Sequence, residues 1–183
     1  TRSLWQYKAT YYIIPPMPSL RIPKHNNTGC YFATLTVQQW YYIFDRKNRW
    51  NILADALNYC VEHKGLQIYG YVFMLNHIHL LFFSSDSAGF IRDYKAFTTK
   101  LLKENITKTE PNLLELFCDD AGAFQIWQST NMPLYVETDA FFIQKLQYIY
   151  ENPVKKTYVI NAEDWYWWSA CKYSPVKLAS MFS

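Results

Sequence analysis

The centre of the chain reads YVFMLNHIHL at residues 71–80. It lies within two short apolar runs, 68–74 and 77–83, that are separated by a leucine and by Asn76. Because asparagine tolerates turn geometry, the pattern predicts a β-hairpin whose second strand starts with two histidines. This hairpin makes the expected sheet at least partly antiparallel.

The two histidines of this hairpin, His77 and His79, are one residue apart. Residues i and i+2 of a strand point to the same face, roughly 7 Å apart, so the imidazoles project side by side. Two imidazoles at that spacing can converge on one cation. A pair of unrelated histidines is the alternative, and the pair by itself leaves both interpretations open.

Upstream of the hairpin, alternating β-branched and aromatic residues predict a strand within 30–44. Asp45 is the expected N-cap of the next helix, and Gly65 its expected end. This helix keeps an apolar face at 3.6-residue spacing. The face consists of Trp50, Leu53, Leu57 and Val61.

Downstream of the hairpin, a second helix is expected to start at Asp86 or Ser87 and to run to about Thr107. Short pieces follow at 113–117, expected to be helical, and at 124–128 and 132–136, expected to be extended. The predicted core stripe of the second helix is Phe90, Tyr94, Phe97 and Leu101, and its polar stripe is Arg92, Lys95, Thr99 and Lys103.

A third helix is expected over 140–152, capped by Asp139 and ended by Pro153. The sequence WYWW at 165–168 is too aromatic to be solvated and is expected to dock on the domain. The element order β-α-β-β-α-β-α indicates an α+β fold. We expect a ferredoxin-like βαββαβ core with a central antiparallel sheet, the two long helices on one face, and a C-terminal helix.

The third helix carries a polar stripe that contains Lys145, Tyr148 and Asn152. Tyr148 and Asn152 are spaced i, i+4, so they lie on one face, whereas Tyr150 points elsewhere. If this face meets the histidine strand, Asn152 offers an amide oxygen to a metal and Tyr148 aims its hydroxyl at a phosphate. The alternative is a packing tyrosine and a helix-ending asparagine.

A phenol has an unperturbed pKa of about 10 and is a weak nucleophile near neutral pH. A divalent ion that polarises a phosphoryl oxygen offsets this weakness, and Lys145 can lower the phenol pKa or touch a phosphate. A site lined by imidazole and amide groups suits Mg²⁺ or Mn²⁺ when water and substrate oxygens complete the coordination.

Composition sets further bounds on function. The 183 residues are most simply one domain, and 19% of them are aromatic. The formal net charge is only +3, so a DNA-binding surface must come from local clusters. Four distant cysteines, with neither a signal segment nor a membrane-length apolar run, indicate free thiols in a reducing cytoplasm.

The first 28 residues contain several prolines that exclude regular structure, together with basic and aromatic side chains. Such a segment can track a nucleic-acid backbone or can pack over the domain as a strap. The basic and aromatic residues are Arg2, Lys8, Tyr11, Tyr12, Arg21 and Lys24.

Residues 74–80 resemble the histidine–hydrophobe–histidine (HUH) motif of single-tyrosine transposases. Residues 147–154 resemble the tyrosine helix of their REP-associated branch, whose members are linked to repeated palindromes. The resemblance covers roughly 29–173. Supporting matches lie at 29–36, 93–98, 126–128 and 165–173.

This resemblance implies a metal-dependent endonuclease and strand transferase acting on single-stranded DNA hairpins. His77, His79 and Asn152 would be ligands of Mg²⁺ or Mn²⁺, and Tyr148 would form a 5′-phosphotyrosine and leave a free 3′-hydroxyl. Relatives include monomers and helix-swapped homodimers, and a cytoplasmic, nucleoid-associated location is expected.

The resemblance also implies a domain division into an irregular N-terminal arm (1–28), an HUH-transposase-like catalytic domain (29–173) and a C-terminal tail (174–183). Phosphate contacts would come from a set of cationic side chains, each of which is alternatively a solvated surface charge. The set is Lys145, Arg92, Lys95, Lys103, Lys155 and Lys156.

One departure keeps a second hypothesis open. Many relatives have a histidine before the proline at 133, where this chain has Met132. Together with the low net charge, this allows a catalytically inactive protein of the same fold that only binds single-stranded DNA hairpins. A metal-binding domain unrelated to DNA is a third, weaker hypothesis.

Overall fold

An antiparallel sheet forms the centre of the molecule in a computed structural model that describes residues 22, 23 and 26–180. Its strands are β1 (Gly29–Thr36), β2 (Gln67–Phe73), β3 (His77–Ser84) and β4 (Leu134–Tyr135). The strand order is β2-β3-β1-β4, and every neighbouring pair is antiparallel. The predicted α+β fold with a ferredoxin-like core is confirmed.

Three helices cover the two faces of the sheet: α1 (Arg49–Lys64), α2 (Ser87–Thr109) and α3 (Asp139–Lys155). Helices α1 and α2 pack on one face, as predicted, around a large apolar core that includes Leu53, Leu57 and Leu102. Helix α3 packs on the other face, around a smaller core that includes Ile149. Short 3₁₀ segments lie at Gln38–Trp40, Pro111–Phe117 and Ala162–Asp164.

The predicted hairpin is confirmed, because β2 and β3 pair with Phe73 opposite Ile78. The amide of Met74 donates to the carbonyl of His77 at 2.8 Å and closes the turn. The opposite neighbour of β3 is β1, in a register that places Thr34 beside His79.

The cap of α2 is confirmed, but its predicted core stripe is wrong in its second half. The carboxylate of Asp86 accepts the amide of Gly89 at 2.9 Å. Phe97, predicted to be buried, is 49% exposed, and Thr98 is fully buried instead. The Thr98 hydroxyl donates to the Tyr94 carbonyl at 2.7 Å and accepts Trp127 Nε1 at 2.9 Å. Because these bonds satisfy the hydroxyl, a polar residue can occupy the core.

The predicted N-cap of the first helix, Asp45, is wrong, since α1 begins at Arg49. Between Asp45 and Arg49, residues 47 and 48 have positive φ and form a turn. The fully buried Arg49 guanidinium binds the Ile43 carbonyl at 3.0 Å and the Glu110 carboxylate at 2.6 Å. This buried ion pair, which the local sequence does not reveal, fixes where the helix starts.

Both predicted ends of α3 need correction. Its N-cap is Thr138, whose hydroxyl accepts the Phe141 amide at 3.2 Å, and Asp139 is the first helical residue. Pro153 does not end the helix, which runs to Lys155. A proline so close to the end removes one backbone bond and leaves only a short stretch to distort.

The predicted strand at 124–128 is wrong. This segment forms only isolated bridges, Val37 with Trp127 and Cys118 with Phe124. The segment runs beside the end of β1 and is joined to it by two backbone hydrogen bonds of 2.8 Å, one on each side of the bridge at Val37. The Gln38 amide donates to the Ile126 carbonyl, and the Gln128 amide donates to the Thr36 carbonyl.

The aromatic segment at 165–168 docks on the domain, as predicted. The Phe73 amide donates to the Trp167 carbonyl at 2.8 Å, and Trp165 Nε1 donates to the Phe73 carbonyl at 2.9 Å. The segment thereby covers the outer edge of β2, whose backbone groups would otherwise be free to pair with another chain.

Gly70 allows α3 to lie directly on β2. A Cβ atom at this position would lie 2.7 Å from Leu146 Cδ2 and 3.2 Å from Ile149 Cδ1. A larger side chain would therefore force Leu146, or the helix that carries it, to move. The glycine allows a close contact between α3 and the strand next to the histidines.

The charged and tyrosine residues predicted to form an N-terminal arm lie outside the described residues. The division at 28 and 173 stays a prediction. Within the described tail, Val176 is buried and the Ala179 amide donates to the Ile68 carbonyl at 2.9 Å. The four cysteines are free thiols. Over residues 26–180, no helix is long and apolar enough to cross a membrane.

Candidate functional site

The two histidines of β3 lie side by side on the face covered by α3, as the strand pattern predicts. Their ring centroids are 4.8 Å apart, with the ring planes at 76°. His77 is 5% exposed and His79 is 4% exposed. The pair therefore lines the floor of the site rather than its surface.

The side chain of Asn76 orients His77. Its Nδ2 donates to the Trp40 carbonyl at 2.6 Å, so its Oδ1 is the atom that faces His77 Nδ1, at 2.7 Å. Nδ1 must therefore carry the proton, which leaves Nε2 with a free lone pair. This is the orientation that second-sphere partners impose on metal-binding histidines.

His79 is held from the neighbouring strand. Thr34 Oγ1 lies 2.8 Å from His79 Nδ1, and the Phe32 ring stacks on the imidazole with centroids 5.5 Å apart. His79 Nε2 is buried and has no hydrogen-bond partner. An unpartnered buried polar atom costs roughly 1–3 kcal/mol, so this nitrogen is expected to have a partner in the working protein.

Helix α3 brings Tyr148 to the same histidine. The Tyr148 ring meets His79 edge to face at a centroid distance of 5.1 Å, and it is 38% exposed. Asn152, one turn later, is only 3% exposed, and its Oδ1 is also buried without a partner. Tyr150 points elsewhere, as predicted, and donates from its hydroxyl to Glu163 at 2.6 Å.

A cavity of about 330 Å³ opens above the two histidines and Tyr148, and Asn152 is not among the residues that line it. The Lys145 ammonium lies at its wall, 4.9 Å from the Phe32 ring centroid and 5.7 Å from that of Tyr148. Burial lowers the pKa of Lys145. The cavity is lined by Phe32, Thr34, Trp40, His77, His79, Met132, Leu134, Lys145, Tyr148 and Lys156.

Burial also keeps both histidines neutral. It lowers the pKa of His77 to about 4, with a further contribution from the nearby charge of Lys156. Burial lowers the pKa of His79 well below its usual value, with contributions from His77, Lys145 and Lys156. At neutral pH the imidazoles therefore keep the lone pairs that a metal ligand requires.

The donor set fits a divalent cation. Among the described residues no three histidine, cysteine or acidic side chains cluster, so the third candidate ligand is the amide of Asn152. In that part of the chain the buried side-chain atoms without partners are His79 Nε2, Asn152 Oδ1 and Trp168 Nε1. The first two belong to residues that the sequence predicts as metal ligands. That assignment stays a prediction.

The six cationic residues predicted to contact DNA are not equivalent. Lys145 and Lys156 line the cavity, whereas the Lys95 ammonium donates to the Gln128 carbonyl and to Asn131 Oδ1, at 2.5 and 2.8 Å. Burial lowers the pKa of Lys95 to about 8. Arg92, Lys103 and Lys155 contact Asp93, Phe124 and Glu151 respectively.

Sequence reasoning missed three residues at this site. Thr34 could have been found from the pairing of β1 with β3, which places it opposite His79. Asn76 was assigned to the turn alone, although it also orients His77. Trp40 lines the cavity but belongs to no periodic pattern in the sequence.

The buried histidines predict a loss of stability in mild acid. In the unfolded chain a histidine takes up a proton as the pH falls through about 6.5, whereas His77 in the folded protein stays neutral down to about pH 4. For His77 this should lower the free energy of unfolding by about 2 kcal/mol between pH 7 and 5, and His79 adds to the fall. Urea unfolding in EDTA at the two pH values measures this difference in the free energy of unfolding.

The control for this measurement is the exposed histidine at position 63. His77→Gln should reduce the fall in stability, whereas His63→Gln should leave it as in the wild type. An equal fall in all three proteins would contradict the assigned protonation of His77.

Comparison with known proteins gives one protein of similar sequence. No protein-family profile matches the chain. It is 28% identical over 142 residues to the "Putative REP-associated tyrosine transposase" of Haemophilus influenzae, which covers 75% of this chain and 77% of that protein.

One solved structure shares the fold. A REP-associated tyrosine transposase bound to a REP hairpin superposes with a TM-score of 0.61 and 15% identity, over 86% of this chain and 89% of that one. A bacterial tRNA(His) guanylyltransferase-like protein in complex with GTP is more distant, with a TM-score of 0.44, 12% identity, and coverage of 79% and 71%. This chain is thus similar in sequence to one REP-associated tyrosine transposase and has the fold of another, which confirms the resemblance drawn from its two motifs.

Proposed function

We propose that the protein is a metal-dependent endonuclease and strand transferase that acts on hairpins of single-stranded DNA through a phosphotyrosine intermediate. One observation carries the proposal. His79 Nε2, a buried atom without a partner, belongs to the ring that the half-exposed Tyr148 contacts, and Asn152 Oδ1, also buried without a partner, follows Tyr148 by one turn of α3. Packing alone gives no reason to bury both atoms unpaired.

His77, His79 and Asn152 would hold Mg²⁺ or Mn²⁺ in this proposal. When bound, such an ion supplies a positive charge that polarises the phosphoryl oxygen. The other contributions come from side chains of the protein. Asn76 and Thr34 fix the two imidazoles, and burial keeps these rings neutral.

Tyr148 would be the nucleophile. Its phenol oxygen loses a proton to water and bonds to phosphorus while the bond from phosphorus to the 3′-oxygen breaks. The products are a 5′-phosphotyrosine and a 3′-hydroxyl, which takes up a proton. The positive charge of Lys145, near the Tyr148 ring, draws the DNA phosphate into the cavity. The reverse reaction, with another 3′-hydroxyl, rejoins the strand.

DNA hairpins are proposed as the substrate because the solved protein with the same fold is bound to a REP hairpin. The electrostatics of the cavity agree with a nucleic-acid backbone, since Lys145 and Lys156 lie along it and none of the described residues that line it is acidic. Each phosphate that such a lysine neutralises steepens the salt dependence of binding by roughly one unit of log–log slope.

The direct test is a denaturing gel of the protein with end-labelled single-stranded hairpins taken from repeats that flank its gene. We expect a slower, protease-sensitive covalent band with Mn²⁺ and no such band with EDTA. A native gel with the same DNA should show binding in both conditions.

A shifted native band without any covalent product would favour the second candidate, a hairpin-binding protein that does not cut. The observation behind it is Met132, which lines the cavity where many relatives of the resembled family have a histidine. If neither band appears across the hairpin panel, both candidates are contradicted.

A further inference from the structure

A second pocket adjoins the cavity at the histidines. Its volume is about 370 Å³, within the range of roughly 300–1,000 Å³ that is usual for small-molecule sites. Four aromatic side chains, Trp40, Tyr41, Tyr42 and Tyr158, form much of its wall. Trp40, His77 and Lys156 line both pockets and so mark the boundary between them.

The Trp40 ring is presented to solvent next to the site. It is 58% exposed, and its centroid lies 6.1 Å from that of His77. The backbone of Gln39 and Trp40 has φ of 51° and 60°, a left-handed conformation that bulky residues rarely adopt. A solvent-exposed ring in such a conformation has no evident packing role.

One buried amide fixes Trp40 relative to the histidines. Asn76 donates from Nδ2 to the Trp40 carbonyl at 2.6 Å and accepts from His77 Nδ1 at 2.7 Å. The side chain that orients a candidate metal ligand therefore also holds the unusual backbone that exposes the indole. This shared support holds Trp40 and His77 in a fixed position relative to each other.

The pocket has the chemistry of a nucleobase site. A flat aromatic ring offers a stacking face to any base, and tryptophan offers the largest one. Lys156, at the boundary, is placed to meet the phosphate that joins neighbouring nucleotides. The described residues that line the second pocket include no carboxylate, so the backbone of a single strand would meet no repulsion there.

We propose that Trp40 stacks on a base of the single strand, in the nucleotide next to the phosphate that Tyr148 attacks. The proposal rests on the function proposed above and extends it to a named base-binding pocket. Stacking would lock the strand in register, so that the scissile phosphate stays above the two histidines while the neighbouring base occupies the second pocket.

The test uses the full chain, in EDTA, with hairpin oligonucleotides that carry a single-stranded tail. Each tail position is replaced in turn by an abasic nucleotide, and dissociation constants are measured for wild type and Trp40→Ala. Base stacking on an aromatic side chain corresponds to roughly 5- to 100-fold in affinity. We expect Trp40→Ala to weaken binding to the intact tail by that factor.

One abasic position should weaken wild-type binding to a similar extent and have almost no further effect in Trp40→Ala. Trp40→Phe, which keeps an aromatic face, should bind nearly as wild type, whereas Trp40→Leu should behave like Trp40→Ala. Tyr59→Ala is the control, because Tyr59 is 53% exposed on α1, across the sheet, and its loss should change nothing.

Equal abasic penalties in wild type and Trp40→Ala at every position would overturn the base pocket. If wild type still forms the metal-dependent adduct in that case, the proposed function stands without the pocket. If wild type binds none of the hairpins and forms no adduct, both proposals fail together.

Discussion

Tyr148→Phe is expected to abolish the covalent DNA adduct while hairpin binding stays within about two-fold of wild type. The substitution removes only the phenol oxygen, and without a nucleophile the effect on adduct formation should exceed roughly 1,000-fold. The phenylalanine ring keeps the edge-to-face contacts with His79 and Phe32, at 5.1 and 5.6 Å, so the fold should be unaffected. A denaturing gel with Mn²⁺ and labelled hairpin measures the adduct.

Tyr150→Phe provides a matched control on the same helix. The two tyrosines are similarly exposed, 38% and 40%, but Tyr150 packs on Trp168 and its hydroxyl donates to Glu163. Tyr150→Phe should retain the wild-type yield of adduct. If Tyr148→Phe keeps the adduct and Tyr150→Phe loses it, the assignment of the nucleophile is wrong.

His79→Leu is expected to abolish the response to metal while costing the metal-free protein only about 1 kcal/mol. Wild type at a Mn²⁺ concentration of 100 times its Kd should gain about 2.7 kcal/mol, which raises Tm by about 5 to 10 °C. Leucine cannot bind the ion, so this rise should vanish, and adduct formation with it. Without metal, leucine removes an unpartnered Nε2, which is favourable, but also the bond between Nδ1 and Thr34, so the net loss of stability should be small, about 1 kcal/mol.

Thermal unfolding in EDTA and in Mn²⁺ separates these two effects. His63→Leu removes a histidine that is exposed on α1 and should keep the full rise in Tm. A variant His79→Leu that still gains stability from Mn²⁺ would place the metal elsewhere. A large loss of Tm in EDTA would instead mean that His79 Nε2 has a structural partner within the protein.

Much of the candidate site follows from local periodicity. Two residues of a strand at i and i+2 must share a face, so His77 and His79 had to be neighbours wherever the strand was placed. In the same way, Tyr148 and Asn152 share a helix face and Tyr150 does not. The hairpin at Asn76 and the cap at Asp86 also depend on near neighbours in sequence, and both are confirmed.

The errors arise where distant contacts override local preference. The buried pair of Arg49 with Glu110 shifts the start of α1 away from Asp45. The bonds of Thr98 to Tyr94 and Trp127 bring a polar residue into the core of α2.

The spacing of residues along the chain is enough to tell which side chains are adjacent on each element: the histidine pair on a strand, the tyrosine and asparagine on a helix. That these elements meet depends on long-range packing. Gly70 lets α3 lie against the sheet, Thr34 and Asn76 orient the imidazoles, and Trp40 turns its ring to the cavity mouth. The reason is physical, since periodicity acts over a few residues, whereas burial and packing join residues that are far apart in the chain.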